Sequence, residues 1–159
     1  MPADIIQSIG EMLINRQQSI AVAESVTSGY MQMALSTAVD AAKFYQGGIT
    51  AYNLGQKSRH LHIEPIHAMA CNCVSEQVAH EMALQVCNLF NSHWGLAITG
   101  YASRVPESNN ELFAYYAIAN AGIIMKSGRI EPPDGESDQV QLYYTKELLK
   151  NLEVVLEHA

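Results

Sequence analysis

Apolar residues recur along this chain in two rhythms, and the changes between them mark its elements. Ile5, Ile6, Ile9, Met12 and Leu13 fall on one helical face and predict an amphipathic helix over residues 3–17. The run SIAVAES then predicts a buried strand that ends at Glu24. Met31, Met33, Ala34 and Leu35 predict a second helix that fades near Thr37. FYQGGITAYNL, rich in β-formers, predicts a strand entered through a tight turn at Gly47-Gly48, with NLGQKSRHL as its polar exit. Ser75 followed by Glu76 is a good N-cap with an acidic first turn, for a helix carrying Val78, Met82, Val86 and Leu89 as far as Asn91. GLAITGY predicts the next buried strand. ELFAYYAIANAGIIMKSGRI predicts a two-stranded hairpin, turning near residues 120–122 or broken at Ser127-Gly128. Past the turn at Pro132-Pro133-Asp134-Gly135, Val140, Tyr144, Leu148, Leu152 and Val155 share one face of a final helix over residues 138–157.

Helices alternating with apolar strands place the chain in the α/β class, as a layered fold whose mostly parallel sheet gains antiparallel pairing near its end. The 159 residues suit one domain, 1–159, with no internal repeat or linker. A formal charge of -7 with nine scattered Lys and Arg argues against a nucleic-acid or membrane-surface partner. No apolar run reaches the roughly 20 residues of a membrane span, and no basic-then-apolar leader is visible, so a soluble, cytoplasmic protein is expected. Three cysteines, an odd number, read as reduced thiols.

Three groups of residues carry candidate chemistry. In ESVTSG, Ser25, Thr27, Ser28 and Gly29 would set hydroxyls and backbone N–H groups at a positive helix end that favours a phosphate or carboxylate; the same residues equally suit a plain helix cap. Tyr52 and Lys57 follow one predicted strand, and Thr99 and Gly100 end another. If these strands are parallel neighbours, their C-terminal ends converge with the Ser25 turn where open α/β sheets bind ligands. Lys57 then supplies a point charge or a general base; otherwise it is a solvated loop lysine. His60, His62 and His67 precede Cys71 and Cys73, all natural zinc ligands, but without the spacing of any standard finger, so no metal is expected there. No Ser-His-Asp or Cys-His signature stands out around His80 or His93.

AESVTSG, FYQGGITAYNLGQK, VSEQVAHEMA and LAITG, in this order and spacing, together resemble the CinA C-terminal domain, the nicotinamide-nucleotide amidase family. The resemblance covers residues 5–100, with a looser fit for the final helix. It implies a three-layer α/β/α sandwich with a mixed, mostly parallel sheet, usually in a homo-oligomer. It also implies hydrolysis of the carboxamide of nicotinamide mononucleotide, through a serine activated by a lysine, without metal or cofactor. By position Lys57 matches the base and Tyr52 its neighbouring tyrosine, with Ser25, Thr27 and Thr99 as candidates for the mononucleotide pocket. An apolar share of 48% with seven methionines agrees with self-association.

The departures are equally specific. The family's nucleophile, the second serine of a G-S-S segment fifteen positions before the lysine, falls on Ala42 in VDAAKFYQGG. The A-G-P loop after I-T-G has become YASRVPESNN, and the arginine expected at the start of the last helix falls near Ser137, in a segment without Arg or Lys. Two functional readings follow. The three losses together point to one, a catalytically silent relative that binds a nucleotide or another small anion, such as a phosphate-bearing molecule. The other is an active amidohydrolase in which Ser25 or Thr27 attacks, with Lys57 as base.

Overall fold

Large and small apolar side chains alternate along the central strands, and that alternation builds two unlike layers around one sheet. In the computed structural model, which describes residues 1–159, the chain runs α1 (Ala3–Asn15), β1 (Ile20–Glu24), α2 (Tyr30–Ser36), β2 (Tyr45–Thr50), α3 (Leu54–Leu61), α4 (Pro65–Ala70) and α5 (Glu76–Phe90). It continues through β3 (Trp94–Gly100), β4 (Ala114–Asn120), β5 (Ile123–Ile130) and α6 (Ser137–Glu157). Ile20, Val22, Leu96, Ile98, Tyr116 and Ile118 pack with residues of α1, α2 and α6 in one core. Ala21, Ala23, Ala97, Ala117 and Ala119 face the other way, into a core with Val78, Met82 and Val86 of α5. Small residues on that face let α5 lie close. At Gly95 even a methyl group would collide with the Ala83 carbonyl and the Cys87 sulfur.

The sheet order is β2-β1-β3-β4-β5. β1 pairs in parallel with β2 and β3, whereas β3–β4 and β4–β5 are antiparallel, so four strands share one direction and β4 alone opposes them. This is the mixed three-layer α/β/α architecture that the resemblance implies. The hairpin turns at Ala121-Gly122, both at positive φ, and Ser127-Gly128 lies inside β5.

Three local expectations need correction. Gly47 and Gly48 are inside β2 rather than in a turn before it. The β1–β2 register steps from Ile20↔Tyr45 to Ala21↔Gly47, leaving Gln46 as the extra residue of a bulge. Gly47 sits at φ 121, and a Cβ on Gly48 would stand 2.5 Å from Val22 Cγ2, so the pair answers to strain and close approach. NLGQKSRHL is α3, capped by Asn53, whose Oδ1 accepts from the Gln56 N–H at 3.0 Å. The His-rich stretch after it holds a further short helix, α4, with Pro65 in its first turn and the Glu64 carboxylate accepting from the Ile66 and His67 N–H groups. On α5 the Ser75 cap is present, its Oγ accepting from Val78 N–H at 3.1 Å, but Leu89 is half exposed rather than on the buried face. No helix is long and apolar enough to cross a membrane.

Candidate functional site

Because β2, β1 and β3 run in parallel, the residues that follow them converge at one edge of the sheet. Ser25 is held there by both neighbours. Its N–H donates to the Ile98 carbonyl at 3.2 Å, and the carbonyl of Glu24 beside it accepts from Ala51 N–H at 2.9 Å. Lys57 lies one turn into α3, on the buried face that it shares with Leu61. Only 2% of its surface is exposed, and its Nζ donates to Ser25 Oγ at 2.7 Å. Lys57 is therefore a buried lysine joined to a serine, and the solvated-loop alternative does not describe it. Burial pushes its pKa below the ordinary lysine value, while charge on the nearby Cys73 sulfur acts in the opposite sense.

The pair opens into a cavity of about 530 Å³. Of the residues expected from sequence, Ser25, Lys57, Tyr52, Thr99 and Gly100 line it together. Thr99 is fully engaged within the wall, donating from Oγ1 to the Cys73 carbonyl at 2.7 Å. Tyr52 stands at the lip, 64% exposed.

Thr27, Ser28 and Gly29 are placed elsewhere. Thr27 is wholly buried and donates from Oγ1 to Glu24 Oε1 at 2.6 Å. Ser28 and Gly29, at φ 48 and 106, make the left-handed turn into α2 and do not line the cavity. The helix end that the sequence offers to an external anion is filled by the chain's own Glu24. Its carboxylate accepts from the N–H groups of Met31 at 2.8 Å and Gln32 at 3.0 Å. Ala42 is also outside the cavity, exposed in a short 3-10 turn, Ala41–Lys43, that leads into the N-terminal end of β2. Ser25 and Lys57 gather at the opposite end, and the length of β2 separates the two by roughly 16 Å at about 3.3 Å per residue.

The loop after Ser25 is pinned through its carbonyls. Ser25 C=O accepts from Ser28 N–H at 3.1 Å, and Val26 C=O accepts from Gln141 Nε2 of α6 at 2.9 Å. In a trans peptide the N–H points away from the C=O of the same plane. The N–H groups of Val26 and Thr27 thus face away from those partners, and neither has an acceptor within the chain. Gln141 and Ser137 bring the first turns of α6 into the cavity wall. Sequence alone did not single out Gln141 or Met69, and it marked Ser137 and Tyr101 only as departures from the family pattern. Glu24 did carry a signal, as a carboxylate within an apolar strand.

The His and Cys residues do not assemble. His67 Nε2 shares a 2.8 Å hydrogen bond with Ser75 Oγ, Cys71 Sγ donates to the His67 carbonyl, and no three His, Cys, Asp or Glu residues are grouped as metal ligands would be.

Residues 3–153 match the model of the CinA C-terminal domain. A CinA-like protein of Picosynechococcus sp. is 36% identical over 102 residues, covering 64% of this chain and 24% of that protein. The chain spans about a quarter of the length of the first curated relatives it matches. A Mycoplasma pneumoniae protein, "Protein MG115 homolog", is 27% identical over 151 residues, covering 93% of this chain and 94% of its own. The crystal structure of a competence-damaged protein (CinA) superfamily protein from Klebsiella pneumoniae 700603 superposes with a TM-score of 0.92 at 24% identity, over 99% of this chain and 98% of that one.

Proposed function

The chain belongs to the CinA C-terminal domain family, and from that membership and the geometry of its cleft we propose that it hydrolyses a small-molecule carboxamide through Ser25 and Lys57. The observation that carries this reading is the buried 2.7 Å contact between Lys57 Nζ and Ser25 Oγ. A desolvated lysine has a lowered pKa and can accept the serine proton when neutral. Ser25 Oγ then attacks the carboxamide carbon while its proton passes to Lys57 Nζ. The donor offered to the oxygen that becomes negative is the free N–H of Val26, which belongs to the residue after the nucleophile and lines the cleft. Lys57 returns the proton to the amide nitrogen and ammonia leaves. Water, deprotonated by the same lysine, cleaves the acyl-serine and restores Ser25.

Two features of the cleft favour Ser25 over the other candidates. Thr27 Oγ1 is committed to Glu24, and position 42 is at the far end of β2, so a methyl group there subtracts nothing from this cleft. The resemblance points to nicotinamide mononucleotide as the first compound to assay. Ammonia release by the wild type, lost in Ser25→Ala together with a Ser25 acyl adduct seen by mass spectrometry, is the expected result. Turnover that survives Ser25→Ala overturns the assignment.

A second reading is ligand binding without turnover. It rests on the substituted segment YASRVPESNN, which brings the bulk of Tyr101 into the cavity wall. In that case the same assay gives binding of the compound with no ammonia from any variant.

A further inference from the structure

Of the nineteen residues that line the cleft, Lys57 alone carries a formal charge, and its ammonium is turned onto Ser25 at the cleft base. Ten of the lining residues are hydrophobic. At the lip, Tyr52 is 64% and Met69 72% exposed, so an aromatic and a thioether side chain stand uncovered where the body of a ligand would rest. Nothing in this wall neutralises a phosphate.

The cleft continues past Ala102, Ser103 and Ser137 into a smaller hollow that does contain a cation, Arg104. That guanidinium is already spoken for. It donates to Asp134 Oδ1 and, at 2.6 Å, to the Asn110 carbonyl. Glu136 lines the same hollow, so one positive side chain is set against two negative ones. A phosphate entering there would share a guanidinium whose charge Asp134 already offsets and would sit beside Glu136, on a chain whose formal charge is -7. The fold's other ready anion site, the start of α2, is filled by Glu24.

From these charges we infer that the substrate of this cleft is a carboxamide with an aromatic or apolar body and no phosphate. The inference rests on the amide-hydrolysing reading of Ser25 and Lys57, and it departs from the mononucleotide that the family resemblance implies. A phosphate on the ligand finds no unpaired cation, while the uncovered faces of Tyr52 and Met69 suit a ring.

Nicotinamide riboside and nicotinamide mononucleotide differ only by the phosphate, so they isolate its contribution. Thermal shift titrations with each compound on wild type and Ser25→Ala measure binding, and ammonia release measures turnover. The expected result is a dissociation constant for the riboside at least ten-fold lower than for the mononucleotide, and kcat/KM ordered the same way. Arg104→Ala should leave that preference within two-fold, and Asp134→Asn, which frees Arg104, should narrow it. Tighter binding of the mononucleotide, with the advantage lost in Arg104→Ala, overturns the inference, as does the lack of a shift with either compound. Absent turnover with the riboside still bound more tightly fails the hydrolytic reading alone and leaves the phosphate-free preference standing.

Discussion

The side-chain amide of Gln141 donates to the carbonyl of Val26 at 2.9 Å, joining the start of α6 to the residue after Ser25 across 115 positions of sequence. The bond pins the backbone of Val26, whose own N–H is the free donor beside Ser25 in the cleft wall. Gln141→Leu removes that restraint. Deleting an oxyanion donor costs about 10²–10³ in turnover, so misaiming one should lower kcat by about ten-fold with little change in KM. Steady-state kinetics on the two proteins provides the check, and an effect confined to KM would contradict the assignment.

Ser25 and Thr27 separate cleanly by what their loss does to turnover. Ser25→Ala should abolish turnover, by on the order of 10⁶-fold as for other serine nucleophiles, and, by leaving the buried Lys57 Nζ without its acceptor, also cost about 1–3 kcal/mol of stability. Thr27→Val withdraws a donor from the buried Glu24 carboxylate. It should cost about 1–3 kcal/mol of stability with kcat largely kept. Denaturant unfolding and ammonia assays on both variants decide the matter.

Lys57 makes stability depend on pH. Its folded pKa is lowered by burial, so between that value and the ordinary lysine value the unfolded chain holds a proton that the folded chain does not. Unfolding free energy from this group therefore rises with pH across that window, and the burial penalty is largest below it. Lys57→Met should raise the melting temperature at neutral pH and flatten the rise on the alkaline side. In the wild type, kcat should climb with pH as Lys57 becomes neutral. A melting temperature that falls on Lys57→Met at neutral pH would contradict this account.

Ala42→Ser is expected to be silent. The substituted hydroxyl lies at the N-terminal end of β2, away from Lys57, and can neither attack nor be deprotonated there. Turnover equal to wild type supports the placement, whereas turnover that appears only in Ala42→Ser would restore the reading in which this position carries the nucleophile.

Gly95→Ala tests the packing of the alanine-rich face. The added methyl meets the Ala83 carbonyl and the Cys87 sulfur, so α5 must shift from β3. A loss of about 1–3 kcal/mol, typical of overpacking, should be read in equilibrium unfolding.

The strand runs and the Ser75 cap were legible because burial and capping act within a few residues. The gathering of Ser25, Tyr52, Lys57 and Thr99 was legible too, once SIAVAES, GGITAY and GLAITG were read as parallel neighbours, since parallel strands bring their exits to one edge. Gly47-Gly48 misled because a turn and a close strand approach both require the absence of a Cβ. The helix α4 is only six residues long, too short for a period to declare itself. Glu24 reaching the N–H groups of Met31 and Gln32, and Gln141 reaching Val26, depend on the assembled fold and leave no local trace.

The crossing of α6 over the cleft also sets an order of assembly on the ribosome. Ser25 and Lys57 emerge early, but the turn of α6 that carries Gln141 is translated 115 residues after Val26, a lag on the order of ten seconds at about 5–20 residues per second. Until then Val140, Tyr144 and Leu148 are missing from the layer over β1 and β3, and Ile20, Val22, Leu96 and Ile98 lack that part of their cover. A nascent chain stalled before α6 should therefore expose its Ser25 loop to protease and to chaperones, and the cleft becomes a functional unit only once α6 has been made and docked.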